Sequence, residues 1–160
     1  MKGGCIKKYL SYLKLSYIFS SIVLTIITAS ITYILILEVF GDVLIIPPLI
    51  EELSKLAAII YSFHFAIIYT LVFSIIEFFY YVNMIINITG SFIIEDFLMR
   101  TFCVISHFIF LWIQIIGFKL FYKTNQKMYI IISFINAWAL HVLWNGFLNG
   151  LTLSLITQLL

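Results

Sequence analysis

Charge is scarce in this sequence. Charged residues fill 10% of its 160 positions, where a soluble domain carries about a quarter. With 64% hydrophobic residues and a mean hydropathy of +1.16, there is too little polar surface to wrap a water-soluble globule. That leaves an integral membrane protein, one bundle without a separate soluble domain. Cysteine is scarce too. Cys5 and Cys103 make no spacing pattern, so neither a disulfide framework nor a zinc knuckle is indicated. The two prolines are adjacent, Pro47 and Pro48, and mark the start of a regular helix, with Val43 to Ile46 more extended. Internal repeats are absent, and a net charge of +2 singles out no partner; none of the readings calls for nucleic acid.

What is present is apolar chain in lengths that fit a bilayer. A spanning helix needs roughly 20 mostly apolar residues, and such stretches fall at about 17–38, 44–63, 66–88, 97–118 and 128–150. The fold expected is an all-α integral membrane protein, a bundle of about five transmembrane helices around a polar intramembrane cleft. Residues 1–16 form a basic cytoplasmic N-terminus and 17–160 a single transmembrane domain. The first apolar stretch is too long for a signal-peptide core, and no small-residue cleavage site follows it. Residues 151–160 either extend the last helix or lie along the interface.

Loop charges set the orientation. Lys2, Lys7, Lys8 and Lys14 precede the first span, and Lys119, Lys123 and Lys127 follow the fourth. Glu38, Asp42, Glu95 and Asp96 occupy the alternate loops. The positive-inside rule then puts the N-terminus in the cytoplasm and the C-terminus on the outer side of the cell membrane.

A short list of ionisable residues remains inside the spans: Glu51, Glu52, Lys55, Glu77, Arg100, His107 and His141, with His64 near the second loop. Each costs roughly 2.5–3.5 kcal/mol to insert if charged and tends to face the bundle interior. Helical spacing groups them. Either glutamate of "EELSK" can meet Lys55 on one face, and His141 and Asn145 in "HVLWN" are one turn apart, with Asn149 a further turn on. Arg100, His107 and Gln114 make one stripe, and Thr70, Ser74, Glu77 and Tyr81 another. Counted at 1.5 Å per residue, Glu51 lies roughly 12 Å, His107 roughly 15 Å, Glu77 about 14 Å and His141 about 10 Å from the outer surface of a ~30 Å core. Four antiparallel seams at one depth predict one site in the outer half of the membrane.

Carboxylates, imidazoles, an amide and two cations make a hydrolytic set. One of the adjacent glutamates is held charged by Lys55 while the other takes a proton from water, and either can be the base. The helix dipole behind Pro47 and Pro48 also favours negative charge there. His141 and Asn145 can donate to a developing oxyanion. Zinc bound by Glu52, Glu77, His107 and His141 is the alternative chemistry, although no H-E-x-x-H helix supports it. Cys103 lies one turn before His107 without a nucleophile motif around it.

"EELSK" (51–55), "FSIIEF" (73–78), "RTFCVISH" (100–107) and "HVLWN" (141–145), one per consecutive span, resemble the PrsW family. That family belongs to the wider group of membrane proteases that includes the CAAX prenyl proteases and the Abi proteins. The match covers roughly residues 45–150. The resemblance implies proteolysis in or beside the membrane of a membrane-associated protein substrate. It carries over Glu51, Glu52, Glu77, His107, His141 and Asn145 as catalytic residues and Lys55 as a partner, with Arg100 supporting them. It leaves open whether the mechanism uses metal. The chain departs from the pattern in having Phe78 after Glu77, in lacking a glycine nearby, and in its shortness. Each motif also has a plainer use. Glu51, Glu52 and Lys55 can be an interfacial ion pair, Glu77 a hydrogen-bonded carboxyl, and His141 and Asn145 interhelical glue. Arg100 can snorkel to headgroups. The alternatives to a peptidase are a non-enzymatic scaffold or immunity protein of the same fold, or a small proton-coupled transporter.

Overall fold

A computed structural model describes residues 3–34, 45–90 and 94–159, with side chains described for 15–31, 45–87, 90, 94 and 97–148. The expected first loop with Glu38 and Asp42, and the side chains of the N-terminal lysines, Glu95, Asp96 and Asn149, lie outside the described residues. Five helices follow in order: α1 Gly3–Ile34, α2 Ile46–Tyr61, α3 Phe63–Thr89, α4 Ile94–Thr124 and α5 Met128–Leu159. Among the described residues there is no strand, so the chain is all-α, as its hydropathy pattern requires. Residues 151–159 extend the last helix.

Three of these helices are long and apolar enough to cross a membrane, over Phe63–Asn87, Phe97–Thr124 and Met128–Leu148. Of the other two, α2 is shorter than its expected span of 44–63, while the expected first span, 17–38, runs past the described residues of α1. The apolar part of α1 among the described residues is Leu15–Ile31. Helix α2 has 16 residues, about 24 Å at 1.5 Å per residue, short of a ~30 Å hydrocarbon core. Its ends explain the shortness. Ile45, just before the first turn, already has φ −93° and ψ −33°, so the helix begins before Pro47 and Ile45 is not extended. At the other end Ser62 is extended, with φ −172° and ψ 140°. Its N–H donates to Ala58 O at 2.9 Å, and its hydroxyl accepts from the Phe65 N–H at 3.4 Å. One serine therefore closes α2 and caps α3. His64 falls in the first turn of α3 and is exposed.

The short helix is the central one. It packs against each of the other four, which is how a face carrying Glu51, Glu52 and Lys55 becomes buried. Ala58 and Ile59 continue that face into an apolar cluster with Phe65, Ala66, Tyr69 and Phe73 of α3 and Leu111, Ile115 and Phe118 of α4. Helices α4 and α5 approach closely at Gly117, where an added Cβ would stand 2.0 Å from Ser133 Oγ and 2.6 Å from Tyr129 O. Asn125, at φ 58°, ends α4 in the left-handed conformation, its N–H donating to Phe121 O at 2.7 Å.

Candidate functional site

The buried face of α2 presents Glu52 and Lys55 one turn apart, and their side chains pair at 2.6 Å with no exposure. Lys55 Nζ then reaches α4, donating to His107 Nδ1 at 3.1 Å. An ammonium has only protons to offer, so Nδ1 carries the lone pair and Nε2 carries the hydrogen. That hydrogen goes to Glu77 Oε2 on α3, at 2.5 Å. On its other side, Glu52 Oε1 lies 2.8 Å from His141 Nδ1 of α5. Gln114 of α4 donates its amide to Glu52 Oε2 at 2.6 Å and to the Glu52 carbonyl at 3.3 Å.

Glu52 is thus a carboxylate enclosed by an ammonium, an imidazole N–H and an amide. Because a carboxylate only accepts, His141 Nδ1 is the protonated nitrogen and Nε2 is left with its lone pair. Nε2 faces Glu51 Oε2 at 3.6 Å. Glu51 Oε2 is itself buried without a hydrogen-bond partner. Two acceptors opposed across that gap call for something with protons or positive charge between them.

Aromatic rings wall the site. Phe110 stacks on His141 with centroids 4.9 Å apart, and Phe73 meets His107 edge-on at 5.4 Å. The two imidazoles stand 5.2 Å apart at 84°. Exposure is uneven: 24% of the Glu77 side chain is accessible, against 12% or less for Glu51, Glu52, Lys55, His107 and His141. Access to the ring is therefore from the Glu77 side.

Of the residues singled out from sequence, Glu51, Glu52, Lys55, Glu77, His107 and His141 come together. Asn145 is half-buried one turn beyond His141 and takes no part in the described hydrogen-bond network. Arg100 does not reach the ring. Its guanidinium stands over Tyr81, with Cζ 3.9 Å from the ring centroid. Gln114 and Phe110 belong to the site but were not marked as site residues. Gln114 had a signal, its seven-residue spacing from His107 on the polar stripe; Phe110 had none that set it apart from the other aromatic residues.

For a metal, the donor set differs from the one expected. Glu51, His107 and His141 each offer a ligand atom within 4.8 Å of the others. The oxygens of Glu52 are taken by Lys55, His141 and Gln114. Two imidazoles and a carboxylate match a catalytic zinc set, and Glu52 on His141 Nδ1 is the outer-sphere carboxylate such sites use. Against this, both nitrogens of His107 are already engaged, by Lys55 and Glu77. No family profile, curated protein or solved structure matches this chain.

Proposed function

We propose that this protein is a membrane-embedded peptidase that hydrolyses a peptide bond of a membrane-associated protein, using a water activated by Glu51. The observation that carries the reading is the gap between Glu51 Oε2, buried and unpartnered, and the His141 Nε2 lone pair 3.6 Å away. A water held there can give one hydrogen to each acceptor, which leaves its oxygen lone pairs for attack on a carbonyl carbon. Glu51 takes the proton as the tetrahedral adduct forms and returns it to the leaving amide nitrogen. Asn145, outside the network, supplies an amide N–H to the oxyanion. Glu52, Lys55 and Gln114 hold His141 in the required tautomer rather than reacting themselves. The resemblance of the four motifs to the PrsW family supports the substrate class. The charge pattern of the loops supports insertion in the cell membrane, N-terminus cytoplasmic and C-terminus outside, with the site in the outer half.

The test is co-expression of the full chain with tagged single-span proteins, comparing wild type with Glu51→Gln and Glu52→Gln. Glu51→Gln should lower cleavage by about 10²–10⁴, the scale of general-base catalysis, while the protein stays monodisperse. Undiminished cleavage by Glu51→Gln overturns the reading. If no protein is cleaved but flux across proteoliposomes depends on Glu51, the transporter alternative replaces it.

The clustering of Glu51, His107 and His141 within 4.8 Å favours a second reading, a zinc peptidase at the same place. Zinc bound by those three residues would supply Lewis-acid polarisation of the scissile carbonyl. Chelation separates the two: loss of cleavage with EDTA, restored by stoichiometric zinc, selects the metal reading, and indifference to EDTA selects the glutamate one.

A further inference from the structure

A second polar cluster sits beside the ring, toward the connection between α3 and α4. Tyr81 lies four residues beyond Glu77, Arg100 seven before His107, and Trp144 three beyond His141. At 1.5 Å per residue these are offsets of about 6, 10 and 4.5 Å in one direction. The Arg100 guanidinium stands over the Tyr81 ring, Cζ 3.9 Å from the centroid, and its Nη1 approaches Cys103 Sγ at 4.0 Å. Trp144, from α5, lies against the same thiol. Arg100 Nε has no hydrogen-bond partner although it is shut off from solvent, and Trp144 Nε1, equally enclosed, faces only the Cys103 thiol, a weak acceptor.

Buried N–H groups are nearly always paired, and one left unpaired forfeits its solvation. Here two donors from two helices flank one sulfur, and one of them is permanently charged. Among the described residues, the Glu77 carboxylate is committed to His107. Donors of this kind are completed by an oxyanion with several acceptor oxygens. An arginine fork held by an aromatic face is suited to phosphate.

Depth says which phosphate. Arg100 is three residues into the apolar stretch that begins at Phe97, about 4.5 Å along the helix. A guanidinium at that level lies within reach of the headgroup layer. We infer that Arg100 and Trp144, with Tyr81 as the platform, bind the phosphodiester of a phospholipid headgroup between α3, α4 and α5. The site is separate from the Glu51–His141 gap and does not rest on the peptidase reading.

The experiment uses the full chain in a non-ionic maltoside detergent, titrated with phosphatidylglycerol and read by native mass spectrometry as lipid retained per protein. Wild type should retain one lipid. Arg100→Gln should weaken retention about tenfold or more, and Trp144→Phe, which removes the donor along with the pyrrole half of the indole, about three- to tenfold, as expected for one or two charge-assisted hydrogen bonds. Lys119→Gln removes a charge from the opposite end of α4 and should change nothing. Diacylglycerol, with the same chains and no phosphate, should not be retained. Equal retention by wild type and both cluster variants overturns the inference, as does retention of diacylglycerol. Inorganic phosphate displacing the lipid at equal concentration also overturns it, because a free anion would then be the occupant. Each variant is checked for helicity and monodispersity, and if Arg100→Gln does not fold, the Trp144→Phe arm decides.

Discussion

At the end of the bundle where α2 meets α3, the helices are joined by Ala58, Ile59, Phe65, Tyr69, Leu111, Ile115 and Phe118. One or two turns away, the same three helices put Glu51, Glu52, Lys55, Glu77 and His107 face to face, and α5 adds His141. The first end needs nothing from chemistry. In lipid the driving force between helices is close packing rather than water exclusion, and close-fitting aliphatic and aromatic side chains supply it. The second end is a poor way to join helices, since desolvating six ionisable groups offsets most of what their attraction returns. Its arrangement makes sense if the groups are kept for what they do. Within it there is a further division: Glu52 is saturated with partners, whereas Glu51 Oε2 has none.

The largest expected effect breaks the polar end. Lys55→Met leaves the Glu52 carboxylate buried without its ammonium and His107 Nδ1 without a donor, and should lower stability by about 3–5 kcal/mol. Thermal unfolding in detergent measures it. Adding Glu52→Gln should recover much of the loss, because removing both charges is far less damaging than removing one. If the double variant is no more stable than Lys55→Met, the pair is not what Lys55 is there for.

Gln114→Leu comes next and sharpens the division between the glutamates. It removes a hydrogen bond to an ionised oxygen, worth about 1.5–3 kcal/mol, while leaving the Glu51 side of the gap untouched. The unfolding midpoint should fall accordingly, and residual cleavage should be lowered but not lost. Complete loss of cleavage at unchanged stability would transfer the proposed catalytic role to Glu52.

At the apolar end the comparable test is Gly117→Ala. The new methyl would meet Ser133 Oγ at 2.0 Å and the Tyr129 carbonyl at 2.6 Å. Because one obstacle is backbone, α4 and α5 must separate, at about 1–3 kcal/mol. The expected signature is lower stability with cleavage per folded molecule reduced at most modestly.

These contrasts also show what the sequence made legible. The seams were readable because an ionisable residue in an apolar helix has few reasons to exist, and helical spacing says which of them share a face. Depth counting brought Glu51, Glu77, His107 and His141 to one level, and the structure puts them in one ring. Which glutamate pairs with Lys55 was not readable. Spacings of three and four residues serve equally well, and Gln114 from α4 and His141 from α5 settle the choice, so it depends on tertiary contacts. The break after α2 was legible to within two residues, from the expected end at 63 to Tyr61, and Ser62 sets the exact place by closing α2 and capping α3. The motifs suggested zinc ligands by residue type alone, whereas Glu52 is engaged elsewhere and Glu51 stands in its place.

The smallest effect tests whether polar contacts at the apolar end are only adhesive. Thr28 of α1 lies 2.9 Å from Ser54 Oγ and 3.2 Å from the Tyr69 hydroxyl, joining α1, α2 and α3 through a buried knot of hydroxyls. The Thr28 hydroxyl also bonds back to the Leu24 carbonyl at 2.8 Å, so its own backbone partner remains if Tyr69 loses its oxygen. Tyr69→Phe removes one neutral hydrogen bond and keeps the ring against Phe65 and Phe73. The loss should be about 0.5–1.5 kcal/mol, read as a small fall in unfolding midpoint, with cleavage unchanged. A large loss of cleavage from this variant would mean that the knot positions α2, and with it Glu51, so that the two ends of the bundle act as one unit. Unchanged cleavage keeps them separate, with the proposed site independent of the hydroxyl knot.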